Sequence, residues 1–389
     1  MKLTFSDKTE MFGEGIFAVL NEKKNQMLAE GKTIYNLSVG TPDFEPPEHI
    51  RKAVAEAAEK PENYKYSLAD LPELTQAVQD FYQKRFGVKL EKNEIMSMNG
   101  SQEGMAHFAW ALCNPGDVVL VPNPGYPIFK IGPELCDAVT VEYPLYEKNH
   151  FLPKFEDIPE ETAKKARFMV VNYPSNPVCS VADDTFYREL IDFARKYDII
   201  ILHDNAYSDI VFGEKQGGSF LQYKGAKEVG VEFYSLSKSF NYTGARVSFC
   251  LGNAQIVEKF KAIRSQIDYG IFYPIQYGAI AALNGPQDSV MEQCKKYERR
   301  SRILSRGLSE IGWKVRDTEG TMFVWAPLPE GYDNANAFCM ELMEKSGVIC
   351  TPGSSFGSLG EGYVRFALVL PEEELQAAIE SIKLSGILK

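Results

Sequence analysis

The segment that decides the fold covers residues 183–207 and reads "DDTFYRELIDFARKYDIIILHDNAY". Its first part predicts a helix, because apolar residues recur at helical spacing after two aspartates that are good N-caps. Its second part, "DIIILHDN", is an almost continuous apolar run of strand length, as expected for a strand that is covered on both faces. A helix that leads directly into such a strand is typical of an α/β sheet.

The same kind of apolar run recurs along the chain, and helix-like segments such as residues 101–113 lie between the runs. The predicted strands are residues 94–99, 117–122, 138–145, 166–174, 198–205, 233–237 and 248–253. This alternation predicts a large α/β domain with a mostly parallel sheet. We place that domain at residues 46–285.

The C-terminal part has a different pattern, with short strands, a predicted hairpin at residues 312–329 and a closing helix that begins at Pro371. A long charged helix is predicted at about residues 286–310, crossing between domains. We therefore predict a smaller α+β domain that combines residues 1–45 with residues 286–389.

Composition narrows the function classes. The formal net charge of −11 leaves no excess of Lys and Arg to neutralise the phosphates of a nucleic acid or an anionic membrane. The seven cysteines form no Cys-x-x-Cys pair and the four histidines have no metal-motif spacing, so we expect reduced thiols and no metal site. The polar N-terminus is unlike a signal peptide, and no run approaches the roughly 20 apolar residues of a membrane span. We expect a cytoplasmic protein.

Chemically useful side chains follow the predicted strands where each strand ends. Ligands bind at that edge of open α/β sheets. "GSQEG" after the first strand is a candidate anion site that opens a helix, although a plain turn would have the same glycines. The other polar residues that follow the predicted strands are Asn176, His203, Asp204, Tyr207, Ser237 and Lys238.

This set fits pyridoxal phosphate better than other cofactors. That cofactor needs a lysine amine for its imine, an anion site for its phosphate and a carboxylate on its pyridine nitrogen. Lys238 would supply the amine and Asp204 the carboxylate, while Ser235 and Arg246 would complete the phosphate site. A phenol and an amide, such as those of Tyr207 and Asn176, can hold the ring oxygen.

Six motifs stand in one order and resemble the class I/II aminotransferases of pyridoxal-phosphate fold type I. They are "YKYSLADLPEL", "PNPGYP", "NYPSNP", "HDNAY", "SLSKSFNYTGAR" and "YVRFALV". The similarity covers nearly the whole chain. It implies a fold type I architecture, a large mostly parallel-sheet domain with a smaller α+β domain, and transamination between an L-amino acid and a 2-keto acid.

The resemblance also implies residue roles. Lys238, Asp204 and Tyr207 would be catalytic, with Lys238 forming the imine and moving the proton. The cofactor would be bound by Ser101, Gln102, Tyr126, Asn176, Asp204, Tyr207, Ser235, Lys238 and Arg246, with Tyr126 stacked on the ring. The substrate would be bound by Gly40, Asn176 and Arg365, and the Arg365 guanidinium would pair with the α-carboxylate. Tyr66 would reach the phosphate of a second subunit, so we expect a homodimer with shared sites.

The chain departs from the family pattern at a few positions beside these motifs. Val178 and Cys179 replace a frequent Thr-Gly, Ala245 replaces a large residue, and Ser248 stands where glycine is common. These changes put loop shape and substrate preference in doubt more than cofactor binding.

Substrate choice is weakly specified by the sequence. The region of residues 100–129 is similar to the subgroup that includes LL-diaminopimelate and alanine aminotransferases, but dicarboxylic, aromatic and small neutral amino acids stay open. The selector would be Ile16 or Phe17, or Tyr269 and Tyr273 from a neighbouring subunit. Two alternatives are a carbon–sulfur β-lyase on the same scaffold and a non-catalytic cofactor-binding regulator.

Overall fold

The computed structural model describes residues 1, 3–11, 16–215 and 217–388, with backbone alone at 16–18. In chain order its strands are β1 (Tyr35–Asn36), β2 (Ile95–Met98), β3 (Val118–Asn123), β4 (Val139–Pro144), β5 (Ala166–Asn172), β6 (Ile200–Asp204), β7 (Gly230–Ser235), β8 (Ser248–Gly252), β9 (Phe323–Pro327), β10 (Val348–Ile349), β11 (Thr351–Pro352) and β12 (Tyr363–Ala367).

The α-helices are α1 (Ile16–Ala29), α2 (Glu48–Ala58), α3 (Pro72–Phe86), α4 (Ser101–Leu112), α5 (Ile128–Leu135), α6 (Glu160–Ala163), α7 (Asp184–Tyr197), α8 (Ala226–Val229), α9 (Leu236–Ser239), α10 (Ala254–Arg264), α11 (Tyr273–Asn284), α12 (Asp288–Glu310), α13 (Ala335–Ser346) and α14 (Glu372–Leu384). None of the helices in the described ranges is both long and apolar enough to cross a membrane.

Two compact units make up the chain. The larger unit comprises Thr41–Glu298 with Glu319–Thr321, and the smaller comprises Met1–Gly40, Arg299–Thr318 and Met322–Lys389. Helix α12 supplies residues to both, since the division falls after Glu298. The functional domain boundaries drawn from the sequence stay a prediction.

The larger unit is built on a mixed sheet of seven strands from the described residues, in the order β2-β8-β7-β6-β5-β3-β4. Strands β4, β3, β5, β6 and β7 run parallel to one another, whereas β8 is antiparallel to both β7 and β2. All seven predicted strands are therefore confirmed as members of one mostly parallel sheet.

One face of this sheet packs on α4 and α10. Phe108 of α4 lies edge-on to Phe233 of β7 and to Phe260 of α10, and all three side chains are buried. Packing is closest at Gly104, where an added Cβ would lie 2.5 Å from the sulfur of Met98. The start of α4 is therefore held tightly against the ends of β2 and β7.

Helix α7 and strand β6 confirm the prediction for the opening segment. The Asp183 side chain accepts a hydrogen bond from the backbone N–H of Phe186 at 2.9 Å, which satisfies an otherwise unpaired donor in the first turn. The buried face of α7 includes Phe186, Leu190, Ile191 and Phe193.

The smaller unit contains the antiparallel strands β11, β12 and β9 and the parallel pair β1 and β10. The predicted hairpin at residues 312–329 is wrong, because within the described chain that region forms the single strand β9. Side chains of α12 hold the preceding segment instead: Ser305 Oγ donates to Asp317 at 2.5 Å, and Ser301 is 2.6 Å from the Thr318 hydroxyl. The closing helix α14 follows Pro371, as predicted.

Candidate functional site

The carboxyl ends of the central parallel strands bring polar residues to one edge of the sheet. Asn172 ends β5 and is the register partner of Asp204, which ends β6. Ser235 ends the next strand, β7. Two of the predicted site residues, Asp204 and Ser235, therefore lie at observed strand ends.

Asp204 has a buried carboxyl group with one unsatisfied oxygen. Its side chain accepts a hydrogen bond from the backbone N–H of Ala206, but Oδ1 has no hydrogen-bond partner among the described residues. Burial raises the pKa of Asp204 to about 6, while the electrostatic effect of the neighbouring His203 and the Ala206 hydrogen bond act in the opposite direction. An acceptor in this state is suited to a ligand that brings a proton on nitrogen.

Asn172 connects two of the predicted site residues. Its Nδ2 donates to the backbone carbonyl of Asp204 at 2.9 Å, and its Oδ1 accepts from the backbone N–H of Asn176 at 2.7 Å. The amide thereby fixes the loop after β5 to the end of β6. Asn176 is buried and precedes a cis peptide bond to Pro177.

Lys238 lies in the short helix α9, directly after β7. Ser235 caps this helix, because its Oγ accepts from the backbone N–H of Ser237 at 3.2 Å. The carbonyl of Lys238 accepts from Nε2 of Gln293 at 2.7 Å, and Ser239 Oγ donates to Asp209 at 2.6 Å. The backbone at Lys238 is therefore fixed through its own carbonyl and through the side chain of the next residue, Ser239.

The start of α4 forms a cradle closed by Arg246. Gly100, with a φ of +89°, precedes the helix, and a Cβ built on it would lie 2.3 Å from Nη2 of Arg246. Ser101 is the first helical residue, and its buried Oγ has no hydrogen-bond partner among the described residues. A guanidinium, a helix N-terminus and an unpaired hydroxyl form a site for a phosphate-like anion.

Two tyrosines, Tyr126 and Tyr207, were also predicted to contact the cofactor. The Tyr126 hydroxyl donates to Oε1 of Gln102 at 2.9 Å, so the predicted ring-stacking residue is joined to the first turn of α4. Tyr207 follows Asp204 by three residues and is buried. Its carbonyl accepts from the backbone N–H of Ile210 at 2.9 Å.

Tyr66 is on the outside of the larger unit, with 77% of its surface exposed. Its ring lies 5.1 Å from that of Tyr269 in an edge-on arrangement, and Tyr64 lies 5.3 Å from Phe272 in a similar one. Leu68 and Ile267, each two residues from one of the paired tyrosines in the chain, are exposed as well. These six residues, which we call the aromatic face, form an apolar surface on the outside of the unit.

The smaller unit holds Gly40 and Arg365, the residues predicted to bind substrate. The Arg365 guanidinium is only 5% exposed, and its Cζ lies 4.1 Å from the ring centre of Phe323 and 4.6 Å from that of Phe356. Its Nη2 donates to the carbonyl of Ser38 at 3.2 Å. An added Cβ on Gly40 would lie 2.6 Å from the Phe323 ring, so glycine lets the backbone pass this cluster closely.

His203, which directly precedes Asp204 in the chain, belongs to a buried polar network. Its Nδ1 is 3.0 Å from Oε2 of Glu232, and its Nε2 is 3.2 Å from the Tyr187 hydroxyl. Glu232 also accepts from the Tyr82 hydroxyl at 2.8 Å and from Ser219 Oγ at 2.7 Å. A buried carboxylate with this many donors stabilises the strand pair that carries Asp204.

Sequence reasoning missed the residues that hold others in place. Asp209 and Gln293 lie in none of the quoted motifs, and the partners of these residues are backbone groups or residues distant in sequence. Asn172 did carry a signal, because it opens the motif "NYPSNP" at a strand end, but it was assigned no role. The side chains of Ile16 and Phe17, proposed as substrate selectors, lie outside what the structure describes.

Comparison with known proteins gives a family match over most of the chain. The family model described as "Aminotransferase class I and II" matches residues 32–382. The LL-diaminopimelate aminotransferase of Desulforudis audaxviator is 42% identical over 370 residues, which cover 95% of this chain and 94% of that protein.

Solved structures agree with that match. The apo structure of BacF from Bacillus subtilis superimposes with a TM-score of 0.94 and 35% identity, covering 99% of this chain and 98% of that one. A probable N-succinyldiaminopimelate aminotransferase from Thermus thermophilus gives a TM-score of 0.90 and 34% identity, covering 95% and 100%. The resemblance read from the motifs and the predicted fold type are both confirmed.

Proposed function

This chain belongs to the class I and II aminotransferases, a family that uses pyridoxal phosphate, and we propose that it binds this cofactor at Lys238 of the larger unit. The single observation that carries the proposal is the buried, unsatisfied Oδ1 of Asp204. A protonated pyridine nitrogen would give this oxygen the donor that it lacks. The unpaired Ser101 hydroxyl beside Arg246 would receive the phosphate in the same way.

When bound, pyridoxal phosphate supplies an aldehyde that takes up the amino group and a ring that accepts electrons from the substrate α-carbon. The Asp204 carboxylate would keep the ring nitrogen protonated by pairing with its positive charge. Asn176 and Tyr207 would hold the ring oxygen, and Tyr126 would cover the ring face. Nζ of Lys238 would take the α-proton and release it to the cofactor within the same half-reaction, and it would carry a proton in the opposite direction in the second half-reaction.

The remaining residues position the reactants. Ser101, Gln102, Ser235 and Arg246 hold the phosphate, with charge-assisted hydrogen bonds from the guanidinium. Arg365 pairs with the α-carboxylate of the amino acid, which is common to every substrate. Its burial between two aromatic rings makes a fixed, planar donor pair.

Reduction with borohydride tests the lysine assignment. The purified, cofactor-loaded protein should keep a covalently attached cofactor after reduction, and peptide mapping should find it on Lys238. Lys238→Ala should lose the attachment, whereas Lys227→Ala, which removes a lysine bonded to Glu94, should keep it. Attachment to another lysine in the unmodified protein would reject the assignment.

We also propose LL-diaminopimelate as the amino donor. Its support is the 42% and 41% identity to LL-diaminopimelate aminotransferases over 95–100% of this chain. The test is a comparison of kcat/KM for LL-diaminopimelate, meso-diaminopimelate, alanine, aspartate and phenylalanine with one keto-acid acceptor. LL-diaminopimelate should be at least about tenfold better than the others. A higher value for any other amino acid would reject this substrate but leave the transaminase chemistry intact.

The active form is proposed to be a homodimer that covers the aromatic face. This face exposes six large side chains on two adjoining segments, including Tyr66 and Tyr269. A second copy would remove them from water and bring Tyr66 to the phosphate in the partner. Sedimentation of the unmodified protein should give a dimer, and Tyr64→Glu with Phe272→Glu should shift it toward monomer.

A further inference from the structure

We propose that Ser248 is an additional hydroxyl donor to the phosphate of the cofactor, an inference that rests on the proposed binding of pyridoxal phosphate. Glycine is common at this position in the family that the motifs resemble. The hydroxyl is therefore a feature of this chain rather than a general requirement of the chemistry.

The position of Ser248 in the sheet supports this role. It is the first residue of β8 and the register partner of Ser235 in β7 and of Met98 in β2. Directly opposed residues of antiparallel strands project to the same face, so the Ser248 and Ser235 hydroxyls share a face. Ser235 is one of the residues assigned to the phosphate.

Strand β2, which pairs with β8, leads directly into the anion cradle at the start of α4. Met98 ends β2, and the backbone N–H of Gly100 donates to its carbonyl at 2.8 Å before α4 begins at Ser101. Arg246, whose guanidinium lies against Gly100, is two residues before Ser248. The hydroxyl is thus bordered by segments that carry three assigned phosphate ligands.

The state of the hydroxyl supplies the independent observation. The Ser248 side chain is completely buried, and its Oγ has no hydrogen-bond partner among the described residues. A buried hydroxyl without a partner is costly, and most such groups are paired in folded proteins. The other residues on this face of β7 and β8, such as Phe233 and Cys250, are apolar and belong to the core. An anion at the start of α4 would satisfy the hydroxyl.

A comparison of two cofactor forms tests the proposal. Ser248→Ala and Ser248→Gly are each titrated with pyridoxal phosphate and with pyridoxal, which lacks the phosphate, and binding is followed by absorbance. The control is Ser305→Ala, a buried serine of the smaller unit that donates to Asp317. The thermal midpoint of each apoprotein is measured with and without inorganic phosphate.

Loss of one hydrogen bond to a charged group should weaken pyridoxal phosphate binding about tenfold or more and leave pyridoxal binding within about twofold. The apo midpoint of Ser248→Ala should stay equal or rise, because an unsatisfied group has been removed, while its stabilisation by inorganic phosphate should shrink. Ser305→Ala should lower the midpoint without changing either affinity.

Three results would overturn the inference. One is an unchanged affinity for pyridoxal phosphate in both Ser248 variants, and another is an equal loss for both cofactor forms, which would indicate a structural role. The third is an unmodified chain that binds neither form, and it would reject the proposed cofactor together with this inference.

Discussion

The ionised carboxyl group of Asp204 should lower the stability of the apoprotein and raise that of the cofactor-bound protein. Without a cationic partner, burial raises its pKa from 3.8 to about 6, so the ionised form destabilises the fold. With a protonated ring nitrogen beside Oδ1, the same carboxylate becomes one half of an ion pair. A residue that is costly when empty and useful when loaded points to ligand binding rather than to structural support.

Substitution of Asp204 by Asn should therefore stabilise the apoprotein at neutral pH. Because the folded-state pKa lies above the unfolded value, wild-type stability falls as the pH rises from about 4 to about 6. Above that window Asp204→Asn should be more stable by about 3 kcal/mol, and below it the difference should vanish. Chemical denaturation of both apoproteins at about pH 8, above the window, and at about pH 3.5, below it, measures the change.

Asp204→Asn, although the more stable apoprotein, should be the less active enzyme once the cofactor is bound. Asp204→Asn should lose turnover much more than cofactor retention, since the phosphate ligands remain. Near-normal turnover at saturating cofactor would show that another group protonates the ring. An apo stability difference that does not vary with pH would mean that the Asp204 carboxyl is not the titrating group.

Arg365 should act on every substrate alike. Arg365→Lys replaces two parallel hydrogen bonds by a point charge, at a cost of roughly 1.5–3 kcal/mol, so KM for amino acids should rise about ten- to hundredfold. The matched control is Arg300→Lys, an equally buried arginine that donates to the carbonyl of Leu368 at 2.9 Å and should affect stability instead. Steady-state kinetics with a neutral and a dicarboxylic amino acid measure the effect. A rise confined to one substrate class would assign Arg365 to the side chain.

At the scale of elements, the start of α4 depends on a glycine for two separate reasons. Gly100 adopts a φ of +89°, and it also leaves room for the Arg246 guanidinium. Gly116 has a φ of +86° but no atom within 4 Å of an added Cβ. Gly116 therefore serves as a control for the effect of a Cβ at a positive φ without a neighbouring contact.

Gly116→Ala should lose about 1–2 kcal/mol of stability because of its positive φ. Gly100→Ala should lose more, because its φ of 89° and ψ of 151° lie in a region that is essentially restricted to glycine, and because the new Cβ also meets Arg246. Gly100→Ala alone should weaken pyridoxal phosphate binding, by about tenfold, because the new Cβ displaces Arg246. Thermal denaturation and cofactor titration of the two variants give the comparison. Equal cofactor affinities in both would show that Arg246 does not need its present position to hold the phosphate.

The elements differ in how far the sequence predicted them. Strand β6 and helix α7 were predictable, because a continuous Ile/Leu run and a capped amphipathic stripe are local signals. The conformation of the segment before β9, where we predicted a hairpin, could not be predicted locally. Its residues Asp317 and Thr318 are held by serines of α12 rather than by a partner strand. The contact between Gly100 and Arg246 depends on the register of β2 against β8, which no local pattern encodes. Residue types at strand ends predicted the candidate site residues, whose roles stay a prediction, and the structure adds the buried unsatisfied atoms of Asp204 and Ser101.

At the scale of the whole molecule, the proposed homodimer would connect assembly with catalysis through the aromatic face. Tyr66 is 77% exposed, although a phenol that contacts a phosphate needs a shielded, defined position. Covering by a second copy would resolve this and would bring Tyr66 into a site whose lysine belongs to the partner. Each active site would then be built from two chains, so that defects in different chains can compensate.

Subunit mixing should show this compensation. Lys238→Ala homodimers should be inactive, and Tyr66→Phe homodimers should be nearly so at low cofactor concentration, because a phosphate contact is missing. After unfolding and refolding as an equimolar mixture, half of the dimers are hybrids, and each hybrid has one site with both native residues. Activity should therefore return to about one quarter of the wild-type value, with native mass spectrometry confirming the hybrids. If hybrids form but activity only equals the sum of the parents, Tyr66 and Lys238 serve the same chain, and the aromatic face has no part in the site of the partner.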